Sequence, residues 1–318
     1  MSRFLRKIFR LIKTRSSLTS EYNKYYNFLS TYKYSYSESY FNLTIDFELA
    51  WSRSRRDNTS TTLEESIERA RRVREFTPIL LELSEKYSIP VTYATVAHTA
   101  LKDCSQHSEP PSFHPKWIKG DWYAVDPHTN ISNNKDYYGA DLFEKITNAR
   151  IKNSVASHSF SHVDLGDSET TENIAKFEVE ESYRILKKNY SSLRTYVFVK
   201  NHIAYKNILK NNGFTIYRND KNHEIKYDEH GHAQFPLGLW ISPEIYSFKD
   251  LVKLVDIAIS EKKLVNFWCH LYEFKSSRQF RIFFEQLFFQ IDLRQKTNMI
   301  KALTIDEIVS RVPIQSYE

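Results

Sequence analysis

The chain has 318 residues, 41% of them hydrophobic and 26% charged, which is the composition of an ordinary globular protein with room for one large domain or two small ones. Only six glycines are present, and neither GxGxxG nor GxxxxGK[ST] occurs, which argues against the classical dinucleotide and P-loop classes; no apolar run approaches the about 18 residues of a membrane-spanning helix. The net charge of +6 is accounted for by Arg3, Arg6, Lys7, Arg10, Lys13 and Arg15, so it belongs to a tail and argues against a nucleic-acid-binding face.

Residues 1–16 interleave that charge with Phe4, Leu5, Ile8, Phe9, Leu11 and Ile12 at near-helical spacing. This reads either as a short amphipathic helix lying on an anionic membrane surface or as a frayed basic terminus. Arg or Lys breaks the apolar run every two or three positions and no small-residue cleavage site follows, so it is not a secretory signal. The expected location is cytoplasmic, with peripheral contact at the inner membrane face through residues 1–16. Residues 17–40 are rich in Ser and Tyr and read as a linker, which makes 1–40 an extension ahead of a catalytic domain at 41–318.

From Phe41 the texture changes. FNLTIDFELAW is an apolar, β-branched strand with charged residues at its C-terminal end. A polar loop at 52–62 leads to helical spacing over 63–87, with Pro78 as a break or restart, and IPVTYATVA is a second strand. Residues 103–139 form an excursion too long for a plain connector. Residues 141–150 read as a helix, NSVASHSFSHV as a third strand and loop, and 169–189 as a helix. TYVFV is a fourth strand, KNILKNNGF a Gly-capped helix and TIYR a fifth strand. Residues 220–236 read as a polar loop, 248–262 as a helix, LVNFWCHLYEF as a strand and 276–300 as a helix; a strand and short helix close the chain. This βα alternation predicts an α/β fold, either a distorted (β/α) barrel or a doubly wound sheet.

In such folds chemistry sits at the C-terminal ends of strands. Three strand ends qualify. Asp46 and Glu48, two apart on a strand, point to one side. His158 and His162 lie four apart just after an apolar strand, and imidazoles suit Zn and similar ions. His270 ends another apolar run after Trp268 and Cys269; alone it would read as a core-edge histidine. Two imidazoles and a carboxylate bind a divalent ion with open positions, a spare carboxylate takes a proton from water, and a distant His protonates a leaving amine. That set suits amide hydrolysis. Cys104 and Cys269 form no disulfide framework and read as two buried thiols. His230-Gly231-His232, after Asp228 and Glu229, reads as a solvated turn. Trp117, Trp122, Tyr123, Tyr137 and Tyr138 in the excursion fill a local core or stack on sugar faces. Asp126 and His128 are within chain reach of the groove.

The order of these motifs resembles the polysaccharide deacetylase family, the NodB-homology group that includes carbohydrate esterase family 4. Leu43-Thr44-Ile45-Asp46-Phe47-Glu48 looks like a variant of its first motif, and Ser157-His158-Ser159-Phe160-Ser161-His162 matches its second. Ile89-Pro90-Val91-Thr92-Tyr93 is similar to its approach to the second strand, and a late strand carrying His270 is typical. The resemblance covers roughly residues 41–310 and implies a distorted, often seven-stranded (β/α) barrel that removes N-acetyl groups from an amino sugar, in cell-surface glycan synthesis. It implies Asp46 as base, His270 as general acid, Glu48, His158 and His162 as ligands of a divalent metal such as Zn, and Lys200, Asn201 and Trp268 as substrate contacts. The implied partner is an N-acylated amino sugar, with no nucleic acid. The family's third motif is rich in Arg and Pro; Tyr196 to His202 has neither. The alternatives are a deformylase or other amidase on a sugar or non-sugar amide, and a catalytically inactive carbohydrate-binding homologue.

Overall fold

A computed structural model describes residues 19–314 apart from 32–33, 53–62, 117, 119 and 220–223. The basic stretch 1–16, most of the polar loop at 52–62 and Trp117 lie outside the described residues. The chain builds one strongly parallel sheet with helices around it. Its centre is β1 (Tyr40–Phe47), every residue of which is buried, as a parallel strand covered on both faces must be. β1 is flanked by β2 (Thr92–Thr95) and β9 (Leu264–Cys269), both parallel to it. Beyond β2 follow β3 (Ser154–Ser157), β4 (Thr195–Tyr196), β5 (Ile216–Asn219) and β7 (Ala233–Pro236). Beyond β9 lies β8 (Leu239–Trp240), again parallel.

The two ends of this order are one stretch of chain. β7 pairs with β5, and two residues later β8 pairs with β9. Gly238, at φ +75°, makes the crossing: a Cβ there would collide with the Asn266 carbonyl oxygen, so only glycine fits. The Asn266 side chain seals the seam by donating to the Pro236 carbonyl at 2.6 Å. Counting β7 and β8 as one kinked strand, the ring has the seven strands expected of the distorted barrel. The short β6 (Lys226–Tyr227) adds antiparallel to β7, and β10 (Lys301–Ala302) adds to β1.

Helices cover the ring. α2 (Leu63–Tyr87) runs unbroken through Pro78, correcting the expected break. Val73, Phe76, Leu80, Leu81 and Leu83 are buried on either side of it, and that packing offsets the lost backbone bond. α2 packs on α7 (Ser277–Lys296) through a stacked pair, Phe76 and Phe280, 4.9 Å between centroids. α3 (Ala140–Thr147), α4 (Glu172–Asn189), α5 (Lys206–Asn211), α6 (Phe248–Ser260) and α8 (Ile305–Arg311) complete the layer. Residues 19–31, expected as linker, are instead a helix, α1. Its Tyr25 and Leu29 enter the core, and the Lys263 ammonium donates to the Leu29 carbonyl at 2.7 Å; aromatic burial outweighs the local Ser/Tyr composition. Residues 224–236, expected as loop, contain the β6–β7 pairing. None of the helices among the described residues is long and apolar enough to cross a membrane.

Candidate metal centre at the barrel mouth

Each functional side chain is set by a strand end. β1 delivers Asp46 and, one residue past its end, Glu48; Leu49 then takes a left-handed φ of 47° and turns the chain away. β3 delivers His158, whose N–H donates to the Thr95 carbonyl at the end of β2, 2.8 Å. The loop 158–162 is no helical turn: Ser159 and His162 have φ of 65° and 68°, and this reversal aims both imidazoles at one point. Glu178 of α4 clamps the loop, accepting from the Phe160 and Ser161 N–H groups (2.9 Å each), the Ser161 hydroxyl (2.6 Å) and the Tyr123 hydroxyl (2.9 Å). A fully buried carboxylate with four donors is a strong anchor. β9 delivers His270.

The point of convergence is Glu48 Oε1. It lies 3.4 Å from His158 Nε2, 3.1 Å from His162 Nε2 and 3.5 Å from His270 Nε2. One ligand atom from each of Glu48, His158 and His162 falls within 4.8 Å of the others, and Asp46, Glu48 and His270 form an overlapping group. His158 Nδ1 sits 2.7 Å from the Val197 carbonyl. A carbonyl only accepts, so Nδ1 carries the proton and Nε2 presents its lone pair toward Glu48. Two imidazoles and one carboxylate, with a cavity on the open side, fit a borderline divalent ion such as zinc.

Asp46 is held differently. Arg218 from β5 grips it with two parallel bonds of 3.0 and 3.1 Å, and both side chains are buried. The same guanidinium donates to Asn201 Oδ1 at 3.2 Å and lies over the Trp268 ring at 4.9 Å. Burial pushes the Asp46 carboxyl up, but Arg218, His158 and His270 outweigh it and hold the group below its usual range. Glu48 is likewise raised by burial and pulled well below its usual range by His162 and His270. For His270 burial works downward, yet Glu48 and Glu273 together hold the imidazole well above its ordinary value. Its Nδ1 donates to Glu273 Oε1 at 2.8 Å, and Trp240 Nε1 donates to the same oxygen at 2.9 Å. Tyr272 stacks on the ring at 4.8 Å. His162 is lowered, chiefly by burial.

These groups line a cavity of about 290 Å³ that also takes in Lys200, Asn201, Trp268, Trp122 and Arg69, the small end of the range for ligand sites. All eight residues named from the sequence thus share one cavity. Lys200 and Asn201 have left-handed φ of 55° and 57°, and Lys200 pairs with Asp164 at 3.6 Å. Sequence reasoning missed Arg218, Glu273, Tyr272 and Arg69. Arg218 had a signal, a charge inside the apolar run TIYR that burial forces to find a partner.

Other expectations met different ends. Asp126 and His128 are not among the residues lining this cavity; Asp126 is buried against His98 and His107. His232 is no solvated group but buried on Asp228, 3.2 Å away. Tyr123, Tyr137 and Tyr138 are core residues; Trp122 is buried too, its Nε1 donating to Ser161 Oγ at 2.8 Å. Both cysteines are free, Cys269 buried and Cys104 only partly so.

No family model and no curated protein matches the sequence. Solved structures do match in fold. A probable polysaccharide deacetylase from Pseudomonas aeruginosa PAO1 aligns with a TM-score of 0.57 at 10% identity, over 85% of this chain and 89% of that one. PuuE allantoinase aligns at 0.56 and 11%, over 85% and 88%. A candidate polysaccharide deacetylase from Mycobacterium smegmatis aligns at 0.55 and 12%, over 88% and 93%. At such identities the likeness is one of fold: this chain has the distorted (β/α) barrel of NodB-type deacetylases.

Proposed function

We propose that this protein is a metal-dependent hydrolase that removes the acetyl group from the nitrogen of an amino sugar. The observation that carries the reading is the convergence of Glu48, His158 and His162 on one point, with Asp46 and His270 beside it at the mouth of a barrel shared with polysaccharide deacetylases. Glu48, His158 and His162 would hold the ion, most reasonably zinc from the donor set, and when bound it would polarise the acyl carbonyl and acidify water.

The rest is the work of this chain's side chains. Asp46, kept ionised and oriented by Arg218, takes the proton of the attacking water. His270, kept protonated by its carboxylate neighbours and fixed at Nδ1 by Glu273, gives the Nε2 proton to the departing nitrogen. Trp268, Lys200 and Asn201 meet the sugar from the cavity wall; an indole face suits the apolar face of a pyranose.

The test is release of free amine by the metal-loaded protein from N-acetylated and N-formylated amino sugars, free and carrier-linked, together with non-sugar amides, since the fold is shared with an allantoinase. Acetyl-sugar turnover abolished by a chelator and restored by zinc is expected. Turnover of formylated or non-sugar amides alone would move the assignment to the other amidases. No amine from any compound in a zinc-loaded preparation would overturn the enzymatic reading.

A further inference from the structure

A second donor cluster lies in the 103–139 excursion, apart from the barrel-mouth cavity. Cys104 and His107 stand three apart on one tight turn, and Asp126 and His128 two apart on another. The turns are held together by backbone: Cys104 N–H donates to the Thr129 carbonyl at 3.0 Å and Ile131 N–H to the Lys102 carbonyl at 2.8 Å. Asp103 and Gln106 cap the first turn reciprocally. Cys104 Sγ lies 3.2 Å from His107 Nε2, 3.4 Å from His128 Nδ1 and 3.7 Å from Asp126 Oδ2; His107 Nε2 lies 3.1 Å from the same Asp126 oxygen. Ligand atoms around a tetrahedral zinc, at the usual bond lengths, stand about 3.4–3.6 Å apart.

Outer hydrogen bonds fix how each donor is presented. Trp51 Nε1 donates to His98 Nδ1 at 3.1 Å, so His98 carries its proton on Nε2 and donates it to Asp126 Oδ2 at 3.0 Å. Asp126 Oδ1 is taken by the Tyr138 hydroxyl at 2.8 Å and the His128 N–H at 3.0 Å. His107 Nδ1 lies 2.8 Å from the Ser108 carbonyl and must donate to it, so that Nε2 is the atom the neutral ring offers to an ion. His107 Nε2, His128 Nδ1 and Asp126 Oδ2, the last already accepting from His98, thus surround the one thiol. Outer hydrogen bonds that orient each donor are what metal ligands carry.

We propose that Cys104, His107, Asp126 and His128 bind a second divalent ion, zinc by the mixed sulfur, nitrogen and oxygen donor set, with a structural role. The Cys104 thiol gives up its proton to solvent as the ion binds. Cys104, His107 and Asp126 stand within 3.1–3.7 Å of one another, and with His128 as the fourth donor the site would leave no position for substrate. The ion would tie the two turns of the excursion to each other beside the loop that carries His158 and His162: the His98 and His107 rings lie 5.6 and 5.3 Å from Phe160, and the His98 backbone N–H donates to the Phe160 carbonyl at 3.0 Å.

Cobalt(II) loading of the full chain tests this, because the barrel-mouth set contains no thiol. A thiolate-to-cobalt charge-transfer band in the near ultraviolet is expected in the unaltered protein. It should persist in His158→Ala/His162→Ala, which removes the mouth site, and in Cys269→Ala, and vanish in Cys104→Ala. His128→Ala, at an exposed ligand, spares the fold and should weaken zinc retention about 10- to 100-fold. No charge-transfer band in the unaltered protein, a band surviving in Cys104→Ala, or undiminished zinc retention in His128→Ala overturns the site. The readout is independent of catalysis, so a protein without deacetylase activity would still report on it.

Discussion

Two groups of imidazoles and carboxylates meet the loop His158–His162, and they are built on different principles. The barrel-mouth group hangs from strand ends: Asp46 is the last residue but one of β1 and Glu48 follows it, His158 follows β3, Arg218 is the last residue but one of β5 and His270 follows β9. Its donors come from segments far apart in sequence and face a cavity. The excursion group comes from two tight turns, includes a thiol and turns its donors on one another. A site that must admit a substrate keeps one side open and takes its precision from a rigid sheet. A site that only fastens a loop can be local and closed.

That contrast can be broken at either end. The largest effect is expected from His158→Ala/His162→Ala. Loss of the ion's several kcal/mol of charge stabilisation lowers kcat/KM at least about 10³-fold, while the excursion keeps its metal. Equal loss of metal from both groups would show that they are one cooperative unit. Next comes Arg218→Ala. It leaves Asp46 a buried carboxylate with only the more distant His270, 3.9 Å away, as an ion-pair partner, and breaking a buried pair costs about 3–5 kcal/mol, read as a lowered urea midpoint. Adding Asp46→Asn to that variant should recover part of the stability, since the uncompensated charge is gone.

Glu273→Gln is subtler and bears on pH. Glu273 raises the His270 value, and His270 acts as an acid only below its folded-state pKa. Removing the carboxylate lowers that pKa, so the alkaline limb of kcat/KM must move to lower pH; an unmoved limb would remove His270 from the acid role. The smallest effect is expected at Lys200→Ala. Its ion pair with Asp164 is one-third exposed on the lysine side and contributes at most about 1 kcal/mol. KM should rise by about two- to fivefold with kcat unchanged and stability lowered by no more than about 1 kcal/mol.

How much of this is legible in sequence follows the same division. β1, α2, β2 and β9 announce themselves because parallel strands buried on both faces read as apolar runs and their helices carry period 3.6. The mouth groups could be named because topology sends strand ends to one side, and the motif spacing of His158 and His162 marks the loop. Arg218 showed only that a charge sits in an apolar run; its partner is 172 residues away, and no local pattern encodes a contact of that separation. α1 escaped because Tyr25 and Leu29 are helical through tertiary burial, which overrides a Ser- and Tyr-rich composition. The excursion group was readable only in pieces. Cys104 looked like any buried thiol, Asp126 and His128 looked like groove residues, and His107 carried no signal until Cys104 was counted with it as Cys-x-x-His.

The central claim is that Glu48, His158 and His162 hold a divalent ion at the barrel mouth. Zinc content of Cys104→Ala/His128→Ala, with and without His158→Ala, tests it most directly, because the thiol-bearing group is removed from the count. The account predicts one equivalent per chain in the first protein and none in the second. The same zinc content in both would contradict it.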